Sequence, residues 1–236
     1  MRMNNQQQAI DRLGVRVAAL EQSESGTAFK QACGDGFDYL AIGNSITKHG
    51  LADYWWGEWG MAASEEQRDY VHLVSSALET EHGSINAAAM NFSQYEILAH
   101  DREQALSLIE PYLNEGIDLV TVQMGENVAD DSTWQQDFRQ LLARVKAAAP
   151  DARVLVIGVS WPDEAVETAE RSAAEETNCA YIDLSSIRNE PWYQCGRSAT
   201  VYGADGQTHM VEHDGVAKHP GDDGMRAIAD LVLEAA

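Results

Sequence analysis

From Phe37 onward, short apolar runs alternate with helix-length amphipathic stretches, and few architectures satisfy that alternation. Phe37–Ile42 (FDYLAI) is apolar and closed by Gly43, the pattern of a strand buried on both faces. Ser84–Met90, Ile117–Met124 (IDLVTVQM), Arg153–Val159 (RVLVIGV) and Cys179–Leu184 repeat it. Between them lie helical segments. Ser64–Thr80 takes Ser64 as its cap and carries Val71, Val74 and Leu78 on one face. Asp101–Tyr112, Ser132–Ala149 (closed by Pro150), Asp163–Asn178 and the final Asp222–Ala235 complete the set. Thr200–Glu212 contains Ala204-Asp205-Gly206 and reads as a hairpin. Strands joined by such helices run parallel, and a parallel sheet needs cover on both faces. The pattern predicts one α/β domain over residues 37–236: a three-layer α/β/α sandwich around a central, mainly parallel five-stranded sheet.

Residues 1–36 stand apart. Their charges balance, so the whole net charge of −22 sits on residues 37–236. Ile10, Leu13, Val17 and Leu20 step by three and four, which predicts an N-terminal helical extension packed on the domain. A dimerising helix is the alternative, so a homo-oligomer is left open. The surplus of 38 Asp and Glu over 16 Lys and Arg repels phosphate backbones, anionic headgroups and polyanionic substrates. Nucleic acid and membrane are therefore not expected partners. The apolar runs are too short to span a bilayer, and the amino terminus lacks an apolar core of signal-peptide length. Cys33, Cys179 and Cys195 are an odd set without a CxxC, as expected of reduced thiols. A cytoplasmic location is expected, unless the chain is part of a longer secreted or anchored protein. His49 and His72 belong to no HExxH or tight His/Asp cluster, so neither a metal nor a cofactor is expected.

Ligands of open parallel sheets bind beyond the carboxyl ends of the strands. Three segments fall there. Gly43-Asn44-Ser45-Ile46-Thr47 follows the first strand, where a serine can present its hydroxyl over the sheet edge and its N–H to a developing oxyanion. Gly125-Glu126-Asn127 follows the third, and its Asn amide can donate to the same oxygen. His219 precedes Pro220 at the mouth of the last helix, where a base can accept the serine proton. Singly, these are an ordinary helix cap, a common turn and a surface histidine. Together they form a chemically sensible set. Glu126 reads as a solvated loop carboxylate, and His209 and His213 as exposed loop residues.

With GNSIT, GEN and HPGDDGM arriving in this order, residues 37–236 resemble the SGNH (GDSL-like) hydrolases. The stretch Tyr54–Met61 and the ending GVAKHPGDDGM are most similar to bacterial carbohydrate acyl esterases. The resemblance implies a flavodoxin-like sheet, Ser45 as nucleophile, His219 as general base, and Asn127 as oxyanion donor beside the Ser45 N–H. The family's second block usually gives a glycine N–H as a further donor; here that position falls on Ser93. The family also places an Asp three residues before the His, where this chain has Val216. Either Asp214 folds back to the imidazole or a backbone carbonyl orients the ring, and the carboxylate is slightly favoured. Trp55, Trp56 and Trp59 either stack on a sugar or form a packed lid.

The expected function is hydrolysis of short acyl esters, acetyl foremost, on a carbohydrate or glycoconjugate, through a Ser-His(-Asp) acyl-enzyme. The substrate is then a small molecule or polysaccharide. A lysophospholipase or thioesterase of the same fold is one alternative; a catalytically silent binding domain is another.

Overall fold

In the computed structural model, which describes residues 36–188 and 190–236, five strands form one sheet. They are β1 (Phe37–Gly43), β2 (Ile85–Asn91), β3 (Leu119–Gln123), β4 (Arg153–Ile157) and β5 (Ala180–Ile182). All neighbours are parallel, in the order β2-β1-β3-β4-β5. The expected helix through Ile10, Leu13, Val17 and Leu20, and Cys33, lie outside the described residues.

The alternation of side chains along these strands sorts the core into two layers. Tyr39 and Ala41 of β1 and Leu155 and Ile157 of β4 face one side. There they pack with α1 (Tyr70–His82) and the final helix α7 (Asp222–Ala235). Leu40, Ile42, Val154 and Val156 face the other. That side is covered by α4 (Trp134–Ala148) and α5 (Glu164–Glu176). Both layers are buried, which explains why the central strands read as continuous apolar runs instead of alternating ones. The three-layer sandwich expected from the alternation is present.

The differences from expectation have local causes. Ser64 does not cap a helix; its N–H and hydroxyl both donate to Asp222, at 2.8 and 2.7 Å. The cap of α1 is Asp69, which accepts from the His72 N–H at 2.8 Å. The helix expected over 101–112 shrinks to α3 (Arg102–Ala105), followed by 3-10 turns. Pro111 lacks the N–H that an α-helix would place on the Ser107 carbonyl, and it opens a 3-10 turn instead. Between β2 and α3 a five-residue helix, α2 (Ser93–Ile97), turns the chain back across the sheet edge. The late hairpin forms from β6 (Thr200–Tyr202) and β7 (Thr208–Met210), antiparallel as expected. Residues 214–218 make a one-turn helix, α6 (Asp214–Lys218).

The strand order reverses direction between β1 and β3. That switch point opens a crevice at the carboxyl ends of the two central strands. Residues 44–47 and 125–127 leave the sheet there.

Candidate active site

Gly43 ends β1 where no side chain fits: a Cβ would run into Thr47 Oγ1 and the Gln123 carbonyl. The chain then turns sharply. The Asn44 N–H donates to the Gln123 carbonyl at 3.1 Å, and its own carbonyl accepts from the N–H groups of Thr47 and Lys48. The Asn44 side-chain oxygen takes the Ile46 N–H at 3.1 Å. Ser45 is thereby lifted to the half-buried tip of the turn. Among the described residues no acceptor takes its N–H, which leaves that donor for a ligand.

The Ser45 hydroxyl lies 2.7 Å from His219 Nε2, although the two residues are 174 positions apart. The other ring nitrogen, Nδ1, is 2.8 Å from the Gly215 carbonyl. A carbonyl only accepts, so Nδ1 carries the proton and Nε2 is free to accept from the serine. Burial drives the His219 pKa down to about 4, with the nearby His49 and His213 pushing the same way and the Gly215 carbonyl opposing. The ring is therefore neutral at physiological pH. Trp161 meets it edge-on at 4.9 Å. The Cys195 N–H ties the His219 backbone carbonyl at 2.9 Å.

Asp214 does not reach this ring, contrary to the favoured expectation. The helical turn of α6 brings the carbonyl four residues back under the imidazole and projects Asp214 outward. There its exposed carboxylate pairs with Arg197 at 2.6 Å, which holds it below the usual carboxylate range. Val216, at the family's usual acid position, is buried in the core.

The remaining expected site residues divide. Asn127 lies on the loop after β3, its side-chain amide donating to Glu96 at 2.8 Å. An amide nitrogen carries two hydrogens, so one is left over. Ser93 is a correction: its N–H and hydroxyl both donate to Asn91 Oδ1, at 3.0 and 2.7 Å, so the N–H is already engaged. Trp55 and Trp59 are corrections too. Both are buried in the core and pack edge-on against one another at 5.8 Å, so neither offers a face to a substrate. Trp56 is half-buried and stacks on His209 at 4.4 Å. The exposed aromatic near the site is Tyr54, stacked on His213 at 4.7 Å and 6.1 Å from His49.

Sequence reasoning missed the acids beneath the site. Glu126, read as solvated, accepts from Asn44 Nδ2 at 2.6 Å, from the Ser160 N–H at 2.7 Å and from Gln123 Nε2 at 2.9 Å. Burial raises its carboxyl. Glu96, fully buried, sits on the other side of Asn44. The only hint was their position after strand ends. Among the described residues no group of three or more His, Cys, Asp or Glu could hold a metal, and no helix is long and apolar enough to cross a membrane.

Residues 41–227 match the model of the GDSL-like lipase/acylhydrolase family. Solved structures share the fold, three of them as follows. A phospholipase A1 from Streptomyces albidoflavus NA297 is 16% identical, with a TM-score of 0.50, over 85% of this chain and 100% of that one. An extracellular lipase from Streptomyces rimosus is 16% identical, with a TM-score of 0.52 and the same coverage. A two-domain esterase active on acetylated mannans is 15% identical, with a TM-score of 0.53, over 85% of this chain and 48% of that one. No curated protein sequence matches the chain significantly.

Proposed function

Because the chain belongs to the GDSL-like lipase/acylhydrolase family and is an SGNH-type serine hydrolase, we propose that it removes short acyl groups, acetyl foremost, from a carbohydrate or glycoconjugate. The observation that carries the chemistry is the 2.7 Å contact between Ser45 Oγ and His219 Nε2, with the opposite ring nitrogen fixed on the Gly215 carbonyl. In this reading Ser45 attacks the ester carbonyl while Nε2 takes its proton. The oxyanion is received by the Ser45 N–H and the spare Asn127 N–H. The imidazolium returns the proton to the leaving alcohol, and water, deprotonated by the same nitrogen, releases the acid. The machinery is a dyad oriented by a backbone carbonyl.

The rim supports the substrate class. Tyr54, exposed, stacked on His213 and tilted by 56° to His49, gives the rim near His219 an aromatic face with polar edges, which suits contact with a sugar ring. Trp161 closes the other side of the base. The test is kcat/KM for p-nitrophenyl esters of two to twelve carbons, together with a panel of acetylated sugars. Acetyl is expected to be turned over at least as well as octanoyl, since each added methylene gains free energy only where a pocket buries it. Higher values on the long chains would reverse the substrate assignment in favour of a lipid ester.

A further inference from the structure

Four N–H groups converge on a single carboxylate, that of Glu96. Its Oε1 accepts from Gly125 N at 2.5 Å, from Asn44 Nδ2 at 3.1 Å and from Asn127 N at 3.4 Å. Its Oε2 accepts from Asn127 Nδ2 at 2.8 Å. The side chain is fully buried, and among the described residues no cation pairs with it. A carboxylate brought into the interior without a counter-ion is costly unless donors surround it. Here every partner is a donor, and only an acceptor-only group satisfies them all. A glutamine of the same shape would turn an NH₂ toward an N–H. Only the acid therefore holds the Asn127 NH₂ inward as placed, and its other donors come from the turn before Ser45 and the loop of Asn127.

We propose that Glu96 is a positioning residue for the oxyanion hole: by accepting one hydrogen of the Asn127 amide it aims the other at the substrate oxygen. The inference rests on the reading of Asn127 as oxyanion donor. The geometry also fixes which end of that amide is nitrogen, since only the NH₂ end can face a carboxylate. The Gly125 N–H on the other carboxylate oxygen, Oε1, sets the loop itself, at a residue whose φ of 123° suits glycine.

The charged groups around Glu96 bear on when it is ionised. Glu126 faces it across Asn44, and Glu170 lies beyond Gly125 with one oxygen on Trp134 Nε1. Arg102 reaches only its backbone carbonyl, at 3.1 Å. Burial, then the Glu126 charge, raise the Glu96 carboxyl to about 7, while the donors on Asn127, Gly125 and Asn44 hold it down. The acceptor-only form thus exists above that pH, and protonation puts an O–H where a donor must be received.

The experiment is a double-mutant cycle on a soluble acetyl ester, with kcat and KM measured across pH 5 to 9 for wild type, Glu96→Gln, Asn127→Ala and the double variant. Asn127→Ala should lower kcat by about 10²–10³-fold, the usual loss for one oxyanion donor. Glu96→Gln should lower kcat about tenfold or more with KM nearly constant, and add nothing once Asn127 is gone. Independent, multiplicative losses would overturn the positioning role. So would an undiminished or higher kcat for Glu96→Gln, which would mean that the nearby negative charge opposes the oxyanion more than the aim helps it. An undiminished kcat for Asn127→Ala would instead overturn the oxyanion reading itself, and this inference with it. Should Glu96→Gln fail to fold, the pH profiles decide without it. Wild-type kcat should rise through about pH 7 as Glu96 ionises, and that rise should vanish in Asn127→Ala. A rise present in both, or absent from wild type, contradicts the proposal.

Discussion

At Asp214 and His219 the difference between a dyad and a triad comes down to one turn of helix. The carboxylate and Arg197 are both largely exposed, at 71% and 61%, so their ion pair is screened and contributes little. Asp214→Asn is therefore expected to keep kcat within about threefold of wild type, where loss of a buried orienting acid costs about 10⁴. A kcat loss beyond a hundredfold would mean that the acid reaches the ring in solution. Ser45, Asn127 and His219 could be singled out because each follows a strand end or precedes a helix, a position that a pattern can mark, and the structure brings the first and last within 2.7 Å. The orienting group was not, because a backbone carbonyl leaves no letter in the sequence. Glu126 was misjudged, and Glu96 passed over, for a related reason. A charged residue on a loop is normally solvated, and only the fold shows that four N–H groups close around one of them.

Among the elements, strands were read more faithfully than helix ends. The apolar runs that made β1, β3 and β4 recognisable are the same residues that fill both layers, so pattern and packing agree. Caps depend on which polar side chain the tertiary structure leaves free. Ser64 is drawn away by Asp222, and Asp69 takes over the start of α1. Asp69 does more than cap. Its Oδ2 also accepts the Gly60 N–H at 2.8 Å, which fastens the tryptophan-bearing segment to the helix. Asp69→Ala should destabilise the fold by about 1–3 kcal/mol, the sum of a lost cap and a buried N–H left without a partner. Thermal or urea unfolding measures it, and a change below about 0.5 kcal/mol would show that water replaces both bonds. The tryptophans themselves follow the same logic. Trp55 and Trp59 are large enough to build a core, and their spacing could not say which of the two uses was theirs.

Across the whole molecule, a sheet of order β2-β1-β3-β4-β5 gathers residues from distant parts of the chain at one edge. The excess of acidic residues is compatible with the proposed mechanism, in which the base is a neutral imidazole and the oxyanion donors are N–H dipoles, so no cation needs recruiting. Fold class and sheet content followed from the alternation alone; the hydrogen-bonded floor beneath the site is a product of topology and has no local signature. The account stands on Ser45 being a nucleophile activated by His219. Its most direct test is the rate of covalent labelling by a fluorophosphonate, followed by peptide mass on wild type, Ser45→Ala and His219→Ala. The account predicts stoichiometric modification of the Ser45 peptide in wild type and none in Ser45→Ala. It also predicts a rate roughly 10³-fold or more lower in His219→Ala, as expected when a nucleophile loses its base. Labelling that persists in Ser45→Ala, or proceeds at the wild-type rate in His219→Ala, would contradict it.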